Sequence, residues 1–147
     1  QIPILSRLDL KYTELYKKDA KKALNEKKDY AHWKEGLENI FEAVYENKPF
    51  ILNVYHDISK DQIEKVLFKL VHGLIESIVE ERSIETNLNE QQKNFIAYFY
   101  KYGFVGIMLD WIEKGMDENY NEIVDDLEKT VHGTIDLSIK NFTNNKK

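Results

Sequence analysis

The chain has 147 residues, enough for about one domain, with only six Gly and two Pro. So few turn formers argue against all-β sandwiches and barrels, and the absence of Cys excludes a disulfide scaffold, a thiolate metal site and a cysteine nucleophile while fitting a reducing compartment. With 26 Asp and Glu against 21 Lys and Arg the net charge is −5, which disfavours nucleic acid as a partner of this chain alone, and no apolar run approaches the ~18 to 20 residues of a membrane span.

The opening Gln1-Ile2-Pro3-Ile4-Leu5 lacks an initiating Met and is too short, with no basic residue before it, for a signal peptide. It fits a processed or shortened chain of cytoplasmic location. Apolar spacing near 3.6 residues then predicts a series of helices. The first covers about residues 8–24, with Leu8, Tyr12, Leu15, Tyr16 and Ala23 on one side. Seven Lys lie between Lys11 and Lys28 against Glu14, Asp19 and Glu26, a pattern that fits a solvated helix face better than a phosphate-binding one because no reading helix accompanies it. Asp29 is placed to cap a second helix whose stripe is Trp33, Leu37, Ile40, Phe41 and Val44, ended by Asn47-Lys48-Pro49.

Pro49 suits the first turn of a short third helix through Phe50, Ile51, Val54 and Tyr55. Ser59 and Gln62 have capping-box spacing, and Ile58 and Ile63 that of a hydrophobic staple, so a fourth helix begins there and carries Ile63, Val66, Leu67, Leu70, Val71, Leu74 and Ile78. Asn89 with Gln92 opens a fifth helix, and Gly115 is placed to end it. Asn119 and Glu122 repeat the capping spacing before a sixth helix, in which Ile123, Leu127, Val131, Ile135 and Ile139 form one continuous stripe. Residues 141–147 read as a fraying tail. No strand-like alternation or internal repeat competes, so the expected fold is all-α, a single helical bundle over 1–147.

Signatures of catalysis are missing. The four histidines, His32, His56, His72 and His132, form no tight metal motif; His72 and Glu76 are an i, i+4 pair, but two ligands are insufficient and a surface hydrogen-bonded pair explains them. There is no nucleophile elbow, phosphate-cradling loop or dinucleotide fingerprint. The expected protein is not an enzyme and uses no metal or cofactor.

The fifth helix is the most informative segment. From Phe95 to Ile112 it is apolar on nearly every side, so other elements or a partner must enclose it. Gly103 and Gly106 in its interior cost about 1 kcal/mol each relative to Ala, a cost that makes sense where another helix approaches closely or a ligand needs room. With the sixth helix it has the makings of half an intermolecular four-helix bundle, the same patch serving both subunits.

The aromatic run into Tyr102-Gly103-Phe104-Val105-Gly106, followed by Trp111-Ile112-Glu113-Lys114-Gly115-Met116, resembles the penultimate-helix segment of TetR-type transcriptional regulators, most of all the subgroup related to dihydroxyacetone kinase regulators. Asn119 to Ile123 is similar to the capped start of the family's last helix. Residues 33–55, including Glu46-Asn47-Lys48-Pro49-Phe50 and Tyr55-His56, are similar to its regulatory-domain helices. The resemblance covers about residues 8–133. It departs from the family at the N-terminus, where the helix-turn-helix that precedes the helix at 8–24 is absent and Gln1–Arg7 does not match the usual joining segment.

The resemblance implies a C-terminal regulatory domain with its last two long helices in a dimer four-helix bundle, the helix at 8–24 linking it to DNA readers elsewhere in the parent protein. It implies a homodimer, an effector that is a small molecule or a protein, and DNA contact only through the missing module. The expected dimer face is Gly103, Gly106, Ile107, Trp111, Ile123, Leu127 and Val131, and the expected ligand-pocket residues are Tyr55, His72, Phe99 and Tyr102. The alternative is a helical dimeric adaptor that binds a protein partner and senses no small molecule.

Overall fold

The computed structural model describes residues 31–55 and 60–143. They form six helices and no strand: α1 Ala31–Glu46, α2 Lys48–Tyr55, α3 Lys60–Arg82, α4 Glu90–Glu113, α5 Tyr120–Val131 and α6 Thr134–Thr143. The helix expected over 8–24, the Asp29 cap, the signals at Ile58 and Ser59, and residues 144–147 lie outside the described residues.

In α1 the stripe Trp33, Leu37, Ile40, Phe41 and Val44 is fully buried, each such side chain contributing about 1.5–3 kcal/mol of transfer free energy. This face packs on α3 and α5. Gly36 permits the approach to α3, since a Cβ there would stand 2.6 Å from Leu74 Cδ1. The chain turns at Asn47, whose side-chain amide donates to the Ala43 carbonyl at 2.7 Å and whose backbone N–H donates to Val44 at 3.1 Å. Pro49 follows in the first turn of α2, where a missing N–H goes unfelt.

The long helices α3 and α4, about 35 Å each at 1.5 Å per residue, make the most extensive contact of the bundle. Ile63, Leu67, Val71, Ile75 and Val79 are buried from α3, and Ile96, Ala97, Tyr100, Phe104, Val105, Met108 and Ile112 from α4. Lys93 joins Glu80 at 3.2 Å near the connection. Both ends of α4 follow the sequence. Asn89 accepts from the Gln92 N–H and Gln92 accepts from the Asn89 N–H, a complete capping box. At the far end the Gly115 N–H donates to Ile112 and the Met116 N–H to Trp111, both at 2.9 Å, with Gly115 at φ 82°. That is a Schellman closure, with the buried Met116 and Trp111 as its apolar pair.

The last part of the chain departs from expectation. Asn119 caps α5 by accepting from the Asn121 N–H at 2.9 Å, one residue earlier than the Glu122 spacing implies. The fold is the expected all-α bundle, but the sixth helix, expected to run unbroken through Ile139, is divided into α5 and α6. His132, at ψ 123°, and Gly133, at φ 78°, leave helical geometry. The Val131 carbonyl, which a continuous helix would give to a backbone N–H, instead accepts from the Thr134 hydroxyl at 2.8 Å. Thr134 also bonds the Tyr100 hydroxyl of α4. Arg82 then grips Asp136 with two guanidinium nitrogens, Nε at 2.9 Å and Nη2 at 2.5 Å, and fixes α6 beside α3. The four-residue apolar spacing carries on through the break into the buried Ile135 and Ile139, so periodicity could not reveal it. α6 also holds Asn141–Thr143, where the Thr143 hydroxyl donates to the Ile139 carbonyl at 2.8 Å.

Candidate functional site

α4 carries two apolar faces, and the bundle covers only one. The other presents Phe95, Tyr98, Phe99, Tyr102 and Ile107, with Phe95 60% and Phe99 66% exposed. Phe95, Tyr98, Phe99 and Tyr102 are three and four residues apart and line one side for about 10 Å, and Ile107 follows five residues on, at the edge toward α5. Among the described residues these five account for most of the exposed large hydrophobic side chains, so exposure is concentrated on one strip rather than scattered as on an ordinary surface. Gly103 and Gly106 lie in the same strip, and a Cβ at either would have nothing within 4 Å. No contact inside the described chain requires glycine there.

Beside the strip runs a groove of about 540 Å³ between α4 and α5, lined by Phe99, Tyr102, Gly103, Ile107, Leu127 and Val131 among others. Phe95 and Tyr98 continue it into a second depression of about 600 Å³ with Phe142, Gln91, Gln92 and Asn94. At the other end Ile107 and Leu127 lead to a hollow of about 260 Å³ rimmed by Asp110, Glu118 and Asp126, with Trp111 and Ile123 in its wall. The face is thus polarised. Its N-terminal end along α4 is aromatic and carries Lys101, whose ammonium sits 4.9 Å from the Tyr98 ring centre and 5.2 Å from that of Tyr102. Its C-terminal end is acidic. Tyr102 packs on Phe68 of α3 with ring centres 5.1 Å apart, and its hydrogen bond to Tyr98 raises the Tyr102 phenol above its usual range.

The residues expected at a dimer face divide by environment. Gly103, Gly106 and Ile107 are exposed, Val131 is partly covered, and Ile123 and Leu127 are buried against the chain's own core while edging the grooves. Trp111 belongs to the core. Its ring meets Phe41 edge-on at 5.1 Å and lies 6.2 Å from Tyr120, and its indole N–H donates to the Glu118 carbonyl at 2.8 Å. Phe95 and Tyr98 were not singled out by sequence, although their positions four residues before Phe99 and Tyr102 put them on the same strip.

The four residues expected at a ligand pocket occupy separate surroundings. Phe99 and Tyr102 lie on the exposed strip, while Tyr55 is buried in α2, where burial and then the Glu113 charge push its phenol up. His72 is half-buried on α3, with Nε2 3.6 Å from Glu76 and Nδ1 buried without a hydrogen-bond partner. Trp33 Nε1 is likewise buried and unbonded, the Trp33 ring stacking on Phe104 at 5.5 Å. No group of three His, Cys, Asp or Glu among the described residues could hold a metal ion, and no described helix is long and apolar enough to cross a membrane.

No curated protein and no solved structure matches the chain. The family model TetR_C_8, described as transcriptional regulator C-terminal region, matches residues 31–133, from the start of α1 to the break after α5. An all-α bundle whose described helices fill that match places this chain in the TetR-type family of transcriptional regulator C-terminal domains.

Proposed function

We propose that this domain joins two copies of a transcriptional regulator and reports an effector to DNA readers that lie outside the described residues. The family is a non-enzymatic regulatory one. The observation that carries the dimer reading is the α4 strip: a largely exposed aromatic surface beside two glycines at which an added Cβ would meet nothing in the described chain. Covering it with a second copy removes that surface from water and gives the two glycines a reason to be there. Since a net charge of −5 suits phosphate poorly, DNA contact is assigned to another module, whose two copies the dimer would set about one helical turn apart.

Effector sensing is supported by His72 Nδ1 and Trp33 Nε1. A buried polar atom left unbonded costs about 1–3 kcal/mol, which a ligand supplying a partner recovers. Such a ligand acts only by binding one arrangement of the helices better than the other.

Sedimentation equilibrium tests the dimer. The purified chain should sediment as a dimer at micromolar concentration, and Ile107→Glu, which places a charge on the exposed strip next to Asp110, should yield a folded monomer with unchanged helicity. A wild-type monomer at that concentration removes the dimer reading. Thermal shift against a metabolite panel separates a sensor from a protein-binding adaptor, because a specific effector must raise stability by mass action.

A further inference from the structure

We infer that the two copies meet with their α4 helices antiparallel, the two-fold axis passing beside Gly103 and Gly106. This rests on the dimer reading above and fixes its geometry. In a two-fold contact every interaction occurs twice, so the polarity of the strip decides which direction the helices run. Parallel helices would set each residue against its own copy. Asp110, Glu118 and Asp126, which rim one end of the face, would then meet the same three carboxylates, and like charges would repel in an apolar, poorly hydrated contact.

Antiparallel helices place unlike ends together. The acidic end then faces the partner's aromatic end, where Lys101 supplies a positive charge over Tyr98 and Tyr102 and the ring edges of Tyr98, Phe99 and Tyr102 are electropositive. Lys114, paired with Asp110 at 2.9 Å, is carried to the same junction near the partner's Phe95. Such an arrangement has one natural crossing point, the place where the helix surfaces come closest. The open space around Gly103 and Gly106 provides it, midway between the aromatic and acidic ends. With the axis there, Gly106 faces the partner's Gly103, and Tyr102 faces the partner's Ile107.

The chain has no Cys, so single introduced thiols report the arrangement directly. A short thiol-reactive cross-linker should join Tyr102→Cys to its own copy, because the two sites stand about 8 Å apart along the axis and both glycines are kept. Phe95→Cys should not, being separated from its copy by about 28 Å along the axis. A nitroxide on Asn94→Cys leaves the glycine notch intact, and its spin–spin distance should exceed about 30 Å. In a chain that sediments as a dimer, self-linking of Phe95→Cys or a spin distance below about 20 Å overturns the antiparallel arrangement and leaves the dimer standing. A long spin distance with no linking at Tyr102→Cys moves the axis off the notch and overturns the register. A monomer in sedimentation overturns both the arrangement and the dimer.

Discussion

Substituting Ala for Gly106 should have opposite effects on the single chain and on the pair. Glycine in an exposed helix interior is less favourable than alanine by about 1 kcal/mol, mostly through the backbone entropy that glycine loses on folding. A Cβ at position 106 meets nothing within 4 Å in its own chain, so no repacking cost offsets that gain. The isolated protomer should become more stable by about 1 kcal/mol, or about 2–4 °C in thermal midpoint for a domain of this length. At a close helix crossing the same methyl is an overpacking lesion, which costs about 1–3 kcal/mol and corresponds to a dimer dissociation constant raised about fivefold to a hundredfold. The assay pairs urea denaturation with sedimentation over a range of protein concentrations. Well below the dimer dissociation constant the variant should unfold at higher urea than wild type, and its advantage should shrink or reverse as wild type dimerises. A variant that is stabilised at every concentration, with unchanged dimer affinity, would refute the close approach at Gly106.

Three further outcomes follow from local contacts. Trp111→Phe keeps an aromatic ring against Phe41 but removes the indole N–H that bonds the Glu118 carbonyl, so stability should fall by about 1–3 kcal/mol; an unchanged urea midpoint would show that the α4–α5 turn does not depend on that bond. Gly133→Ala should destabilise by about 1–2 kcal/mol, because position 133 sits at φ 78° where a Cβ crowds the backbone; a rise in the thermal midpoint would show that α5 and α6 can fuse without loss. Lys34 and Asp125 pair at 2.6 Å between α1 and α5, and their hydrogen bond holds the Asp125 carboxyl below its usual range and the Lys34 ammonium above its own. A depressed carboxylate contributes stability above its unfolded pKa of about 3.9, lost as pH falls through the folded value, and a raised ammonium contributes below about 10.4, lost as pH rises through its folded value. Asp125→Asn should therefore differ most from wild type between about pH 5 and 9 and converge on it in acid; a difference that persists at pH 2 would assign the effect to packing.

The helix ends show how far local chemistry reaches. Asn89 with Gln92 and Gly115 with Met116 delimit α4 as their residue types require, because caps are decided by atoms within a few positions of one another. The buried stripe of α1 was legible for a related reason: polar residues separate its apolar positions, so 3.6-residue spacing identifies the inward side. The same rule fails for α4. With apolar residues all around, periodicity gave no preferred side, and Phe99 and Tyr102, expected at a pocket, lie on the exposed strip. It also carried a single stripe through His132 and Gly133, where the backbone turns.

The sequence by itself determined that this protein is helical, where most of the described helices start and stop, and that the segment from Phe95 to Ile112 has more apolar surface than an ordinary amphipathic helix. Those properties depend on neighbours in the chain. Only the tertiary structure decided which side of α4 the bundle covers, that Trp111 is held in the core while Gly103, Gly106 and Ile107 stay open, and that the last helix is broken where Thr134 and Asp136 find partners on Tyr100 and Arg82. Each of these is set by residues distant along the chain, and burial is a property of the packed helices together.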